Sequence, residues 1–285
     1  MFRLKSKEDM MKRSLIIGLA MILLLWGLGS AFATPLVTLT NKNSTFAVDL
    51  GSQEGAYQWL MDGTSQLFQE WFWYRVGDTP LQSIETLTLT DYGHTKSLLE
   101  ATYSGAGFEI DIVYSLLGGN WGSGTSDVSE QISISNTGSS ALDFHFYMYT
   151  DFDLGGTSTL DAVQLPGTSP HEAIQVNSSK GIIGDTVVTQ TPQRWEADYY
   201  PNTVNRLNSG APITLNDTNA AGPGDVTWAF EWDQVLAASG NGSSMIIGAD
   251  KNIRTVPVPE PTSLILVGGG LMALAGFGRK LRARK

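Results

Sequence analysis

The 285-residue chain has no cysteine, only three histidines, and charged residues at 16% of the total. Without cysteine there is no disulfide framework and no thiol to acylate at a cleavage site, which excludes a disulfide-stapled mini-protein and a lipoprotein. His94, His145 and His171 stand too far apart in sequence for any recognised metal spacing. The sequence contains neither a Gly-x-Ser-x-Gly elbow nor a phosphate-cradling glycine loop, so acyl transfer and nucleotide chemistry have no support. Cations are scarce in the body of the chain: residues 34–278 hold eight Lys and Arg against 26 Asp and Glu, a net charge of −18 compared with −10 for the whole chain. Such a field disfavours nucleic acid and anionic lipid as partners and permits divalent cations.

With 42% hydrophobic residues and eight tryptophans, the chain carries enough apolar surface for a sizeable core. Its ends read differently from its body. Lys12 and Arg13 precede an apolar run from Leu15 to Leu28 and then Ala31-Phe32-Ala33, the pattern of a secretory signal peptide over residues 1–33, cut after Ala33. At the other end residues 262–278 carry no charge, and Arg279, Lys280, Arg282, Arg284 and Lys285 follow. A 17-residue helix reaches roughly 26 Å, just short of a hydrocarbon core of about 30 Å, so it can span with little to spare. The five cations hold the tail in the cytoplasm and stop transfer, so residues 34–256 are expected outside the inner membrane. Gly268, Gly269 and Gly270 weaken the helix at mid-span, which suits a transient anchor.

Between body and span stands Val256-Pro257-Val258-Pro259-Glu260-Pro261, whose alternating prolines can continue neither a helix nor a central strand. Residues 257–261 are therefore expected as an extended linker. The tripeptide Pro259-Glu260-Pro261, the glycine-rich span and the basic end together resemble the PEP-CTERM sorting signal of Gram-negative envelope proteins, over residues 257–285 and nowhere else. That resemblance implies recognition and processing by an exosortase, a transient periplasm-facing anchor in the inner membrane, and a host that makes exopolysaccharide. The cell envelope or the extracellular matrix is then the destination. A sortase route does not fit: Leu165-Pro166-Gly167-Thr168 is followed by Ser169 rather than Gly and lies about a hundred residues from the span.

From Pro35 to Val256 the apolar residues recur mostly at period two, in short bursts broken by Gly, Asn, Asp and Ser. Leu87–Thr90, Phe108–Tyr114, Ile132–Ile134, Ile182–Ile183, Thr186–Val188 and Met245–Ile247 read as strands. Gly118-Gly119, Asn136-Thr137-Gly138, Gly155-Gly156 and Gly240-Asn241-Gly242 read as turns. The pattern predicts an all-β fold, a large antiparallel β-sandwich without internal repeats. In Leu142–Leu154 the even positions are apolar but for Thr150, while Asp143, His145, Tyr147, Tyr149, Asp151 and Asp153 share the other face. In Asp225–Asp233, Val226, Trp228, Phe230 and Trp232 oppose Asp225, Thr227, Ala229, Glu231 and Asp233.

Two sets of residues carry candidate chemistry. Asp151 and Asp153, if extended, stand roughly 6.6 Å apart at Cα on one face, a spacing that suits either Ca²⁺ chelation or the carboxyl pair of a glycosidase. The segment Asp151–Gly155 matches only the opening of a calcium loop, without its third acid or its terminal Glu. Trp71 and Trp73 fall on one face of Trp71-Phe72-Trp73-Tyr74, and exposed rings there would stack on sugars. Two functional readings follow. One is a non-enzymatic envelope or matrix protein associated with exopolysaccharide. The other is a secreted carbohydrate-active enzyme in which Asp151 or Asp153 works with Glu231 or Asp233.

Overall fold

The structure, a computed structural model, describes residues 35–240 and 243–256. The expected signal peptide, sorting tripeptide, membrane span and basic tail lie outside these residues. Among the described residues no helix is long and apolar enough to cross a membrane.

Eighteen strands, numbered along the chain, form two sheets. The first runs β1 (Leu36–Asn41), β2 (Ser44–Asp49), β3 (Gly55–Met61), β5 (Gln69–Val76), β11 (Leu142–Asp151), β17 (Val226–Leu236) and β15 (Arg194–Tyr199). Two short strands flank it, β4 (Thr64–Ser65) beside β3 and β6 (Gln82–Ser83) beside β5. The second runs β16 (Ala220–Gly224), β12 (Asp161–Gln164), β13 (Glu172–Asn177), β14 (Ile182–Val188), β18 (Ser244–Thr255), β10 (Thr125–Asn136), β9 (Phe108–Gly118), β8 (Leu98–Ser104) and β7 (Thr88–His94). Neighbours are antiparallel except β3 and β5, which pair in parallel. The fold is thus all-β, two large sheets face to face, as the period-two pattern predicts. Helix is confined to α1 (Asn202–Leu207) and a 3₁₀ turn at Ile84–Thr86 among the described residues.

The two sheets use their residues differently. In β9 the residues Phe108, Ile110, Ile112, Tyr114 and Leu116 are buried while those between them are not, so the outer face of the second sheet meets water. In the first sheet β5, β11 and β17 are buried almost continuously along both faces. Between the sheets aromatic rings interlock: Phe46 meets Tyr114 at 5.5 Å and Phe108 meets Phe144 edge-on at 5.0 Å. On the opposite face the first sheet is covered by chain from two connections. Trp71 Nε1 donates to Glu85 at 2.7 Å and Trp73 Nε1 to Asn208 at 3.0 Å, while Ile84, Leu207 and Leu215 are buried there. One glycine is obligatory for this packing. Gly55 has φ +57°, and a Cβ there would stand 2.2 Å from the Trp71 ring.

A charge cluster lies inside the sandwich. Lys251 of β18 donates to Glu70 of β5 at 2.9 Å and to Glu130 of β10, tying the two sheets together, and all three side chains are fully buried. Burial, together with the charge of Glu70, pushes the Glu130 carboxyl well above its ordinary range despite Lys251. That direction favours a protonated Glu130 beside a charged Lys251.

Candidate functional site

Because Tyr147 pairs with Glu231 and His145 with Asp233 across β11 and β17, the odd-numbered residues of β11 do share one face, as their alternation predicts. That face holds two separate polar clusters rather than one site.

The first lies towards the start of β11. His145 Nδ1 is hydrogen-bonded to Asp233, and Asp143 stands 3.5 Å from Nε2. Burial opposes protonation of this ring, but the hydrogen bond and charge of Asp233 outweigh it and raise its pKa. Beside it Glu231 is fully buried; Leu215 N donates to Oε2 at 2.8 Å and the Tyr147 hydroxyl lies 2.8 Å from Oε1. Arg75 Nε in turn donates to that hydroxyl at 3.1 Å. Burial pushes the Glu231 carboxyl up to about 7. His145, Glu231 and Asp233 are close enough to share an ion, but their facing atoms are already engaged by one another, by Tyr147 and by the backbone of Leu215. The cluster serves to fasten segment 213–215 onto the sheet.

The second cluster forms at the far end of β11. Asp151 closes the strand, Asp153 follows in the next loop, and Asp225 stands immediately before β17. One carboxylate oxygen of each lies within 4.8 Å of the others. With Phe68, Ser158 and Tyr200 they line a cavity of about 130 Å³. Backbone hydrogen bonds assemble it: Phe68 N to Asp151 O at 2.9 Å, Tyr200 N to Asp225 O at 3.0 Å, and Asp153 N to Gln66 O at 3.0 Å. The loop carrying Asp153 and Ser158 is fixed from beneath. Gln175 Nε2 donates to Phe152 O and to Asp161 Oδ2, each at 2.8 Å, and Asn177 Nδ2 donates to Asp161 Oδ1 at 2.6 Å and to Leu154 O at 3.3 Å. Gly155 and Gly156, with φ near +75°, supply the turn that the paired glycines predict.

Electrostatically the second cluster is unsettled. Asp151 is 1% exposed, its Oδ2 takes a long 3.3 Å bond from Tyr149, and its Oδ1 has no partner. Burial, then the charges of Asp153 and Asp225, push its carboxyl up to about 8. Burial raises Asp153 and Asp225 too, and Asp153 Oδ1 is also unpartnered. Among the described residues none of the three joins an ion pair with a cation. Phe68 and Tyr200, half exposed, meet edge to face at 5.8 Å beside the acids.

The sequence-predicted residues therefore divide. Asp151 and Asp153 come together in a cavity with Asp225, which the sequence places in another strand and which only the pairing of β11 with β17 brings near. Neither converges with Glu231 or Asp233: from the Tyr147–Glu231 pair to Asp151 is four residues of strand, about 13 Å, and from the His145–Asp233 pair six, about 20 Å. The acid pairs required by the enzymatic reading are thus not assembled. Trp71 and Trp73 are both fully buried beneath the 3₁₀ turn and α1, so their rings are closed to sugars; the exposed rings that line the acid cavity are Phe68 and Tyr200. A tyrosine pair before a proline, Tyr199-Tyr200-Pro201, is the signal in the sequence that points to one of them.

Comparison with known proteins gives fold likeness at low identity. A bacterial glucoamylase complexed with acarbose aligns with 80% of this chain at 11% identity and a TM-score of 0.59, and this chain spans about a third of it, 33%. A galactose mutarotase-like protein from Clostridium acetobutylicum aligns over 78% of this chain and 95% of its own at 7% identity, with a TM-score of 0.53. At these identities the likeness is one of fold alone. No curated protein sequence matches the chain. Residues 257–280 do match the family model of the PEP-CTERM protein-sorting motif, and the chain accordingly carries a signal for export and for exosortase processing at the membrane.

Proposed function

We propose that the protein is an exported, exosortase-sorted envelope or matrix protein whose β-sandwich binds exopolysaccharide without processing it. In this reading residues 1–33 are removed on export and the body 34–256 folds on the periplasmic side. Residues 262–278 hold it briefly in the inner membrane, stopped by Arg279, Lys280, Arg282, Arg284 and Lys285. Cleavage at the sorting tripeptide Pro259-Glu260-Pro261 then releases it to the envelope or beyond. The observation that carries the binding part is the cavity where Phe68 and Tyr200 flank three carboxylates, since sugars are held by ring faces together with oxygen acceptors for their hydroxyls. The likeness in fold to proteins named for sugar chemistry agrees with this in class, though the cavity alone supplies the residues.

Two measurements test it. Substituting Pro259→Ala and Pro261→Ala is expected to trap unprocessed protein at the inner membrane; unchanged fractionation overturns the sorting route. Affinity electrophoresis in gels containing the host's exopolysaccharide is expected to retard the protein. Phe68→Ala or Tyr200→Ala should each weaken retention roughly threefold to tenfold, the worth of one stacked ring. Wild-type mobility unaffected by any polysaccharide ends the binding reading.

A further inference from the structure

The cavity at Asp151, Asp153 and Asp225 presents a problem that the fold does not solve internally. Three carboxylates within 4.8 Å of one another, two with unpartnered oxygens, line a space of about 130 Å³. Asp151 is the independent sign of a ligand: 99% shielded from solvent, it lines the cavity with an Oδ1 that meets no donor. An unpartnered acceptor so deeply buried is costly unless a donor or cation is supplied from outside. The loop bearing Asp153 is held by Gln66, Gln175 and Asn177, so the cluster cannot easily relax by swinging apart.

We infer that this cavity is a Ca²⁺ site in which Asp151, Asp153 and Asp225 supply the anionic ligands and the remaining coordination positions face the Phe68–Tyr200 mouth. All donors are oxygens, the preference of hard cations such as Ca²⁺, Mg²⁺ and Mn²⁺. Ca²⁺ suits it best, because two ligands of one Ca²⁺ ion stand up to roughly 5 Å apart and its irregular, six- to eight-fold shell tolerates ligands set by a fixed loop, whereas Mg²⁺ demands a tight octahedron. The Ser158 hydroxyl lines the same space as a further neutral donor. Open positions on such an ion take water or paired sugar hydroxyls, so the site deepens the polysaccharide-binding reading and, in its sugar part only, rests on it.

The test uses the full chain in detergent micelles, titrated with CaCl₂ alone by isothermal calorimetry and followed by thermal unfolding. The expected result is one Ca²⁺ per chain and a rise in Tm on saturation. Asp153→Asn and Asp225→Asn should each weaken binding at least tenfold. In EDTA both variants should melt at or above the wild-type temperature, because each relieves repulsion among the acids; this crossover separates loss of a ligand from loss of the fold. Asp91→Asn, an exposed acid on β7, should leave the titration unchanged. Absence of stoichiometric binding, or binding that survives both substitutions, overturns the site. Repeating the polysaccharide assay with CaCl₂ and with EDTA distinguishes the two ideas: retention undiminished in EDTA removes the cation's role in sugar binding, whereas calorimetric Ca²⁺ binding without retention leaves the site standing and ends the polysaccharide reading.

Discussion

Lys251 is the side chain whose loss the structure predicts will cost most. It is fully buried between the sheets and donates to Glu70 and Glu130, whose outer oxygens have no other partner. Lys251→Met keeps an unbranched side chain of nearly the same volume, one atom shorter, but removes both charge-assisted hydrogen bonds. A buried pair broken on one side costs about 3–5 kcal/mol, a fifth or more of the roughly 5–15 kcal/mol that holds a domain folded. Urea unfolding of the full chain in micelles, followed by tryptophan emission, should show this as a lower midpoint at unchanged slope. The loss should also depend on pH. In the variant the Glu130 carboxyl, already pushed up by burial, also loses the Lys251 charge that held it down, so the native state binds that proton more tightly than the unfolded chain. Its stability is then greatest below about pH 4 and declines as pH rises through the folded-state pKa values. Adding Glu70→Gln and Glu130→Gln to Lys251→Met removes the stranded carboxyl groups and should recover most of the loss. A cost below about 1 kcal/mol at pH 7, the size of an exposed ion pair, refutes the reasoning, as does a cost that acidification does not reduce.

Gly55→Ala should destabilise by about 2–4 kcal/mol, combining a left-handed φ of +57° with a Cβ driven to 2.2 Å from the Trp71 ring; equilibrium unfolding measures it. Gln175→Ala strands the buried Phe152 carbonyl and leaves Asp161 Oδ2 with the Leu154 N–H alone, at a cost of about 1–3 kcal/mol, and faster amide exchange across residues 152–160 should accompany it. With only three histidines in the chain, the His145 ring can be followed by NMR. Its pKa should lie above 6.5, so its contribution to stability is present below that pH and is lost as pH rises through the folded value. Asp233→Asn should bring the pKa down; a ring that titrates identically in both proteins contradicts the pairing.

The second sheet was largely legible in the sequence because one of its faces meets water: β9, β10 and β18 alternate cleanly, and the turns at Gly118-Gly119 and Asn136–Gly138 fall where they are read. The first sheet was legible as strands but not as surfaces. In Trp71-Phe72-Trp73-Tyr74 every residue is aromatic, so alternation cannot reveal that the Trp face is covered, and the covering chain comes from residues 81–87 and 204–215, remote in sequence. The candidate site divided in the same way. Asp151 and Asp153 are two residues apart, so their nearness is legible locally, although β11 ends at Asp151 and Asp153 stands in the loop beyond rather than on a shared strand face. Asp225 joins them only through the antiparallel register of β11 and β17, a non-local pairing that no local pattern encodes. The short α1 escaped because six residues give too little periodicity to register.

The placement of β18 bears on how the body withstands pulling from its sorted end. This last strand lies inside its sheet, paired with β10 from Ser244 to Arg254 and with β14 from Ala249 to Thr255, and Val256 N still donates to Gly181 O at 2.7 Å. Tension applied through the membrane-directed segment therefore runs along a strand gripped on both sides, and extraction has to shear two ladders at once rather than peel one residue at a time. A load arriving at Val256 thus meets both ladders before it reaches the aromatic interior.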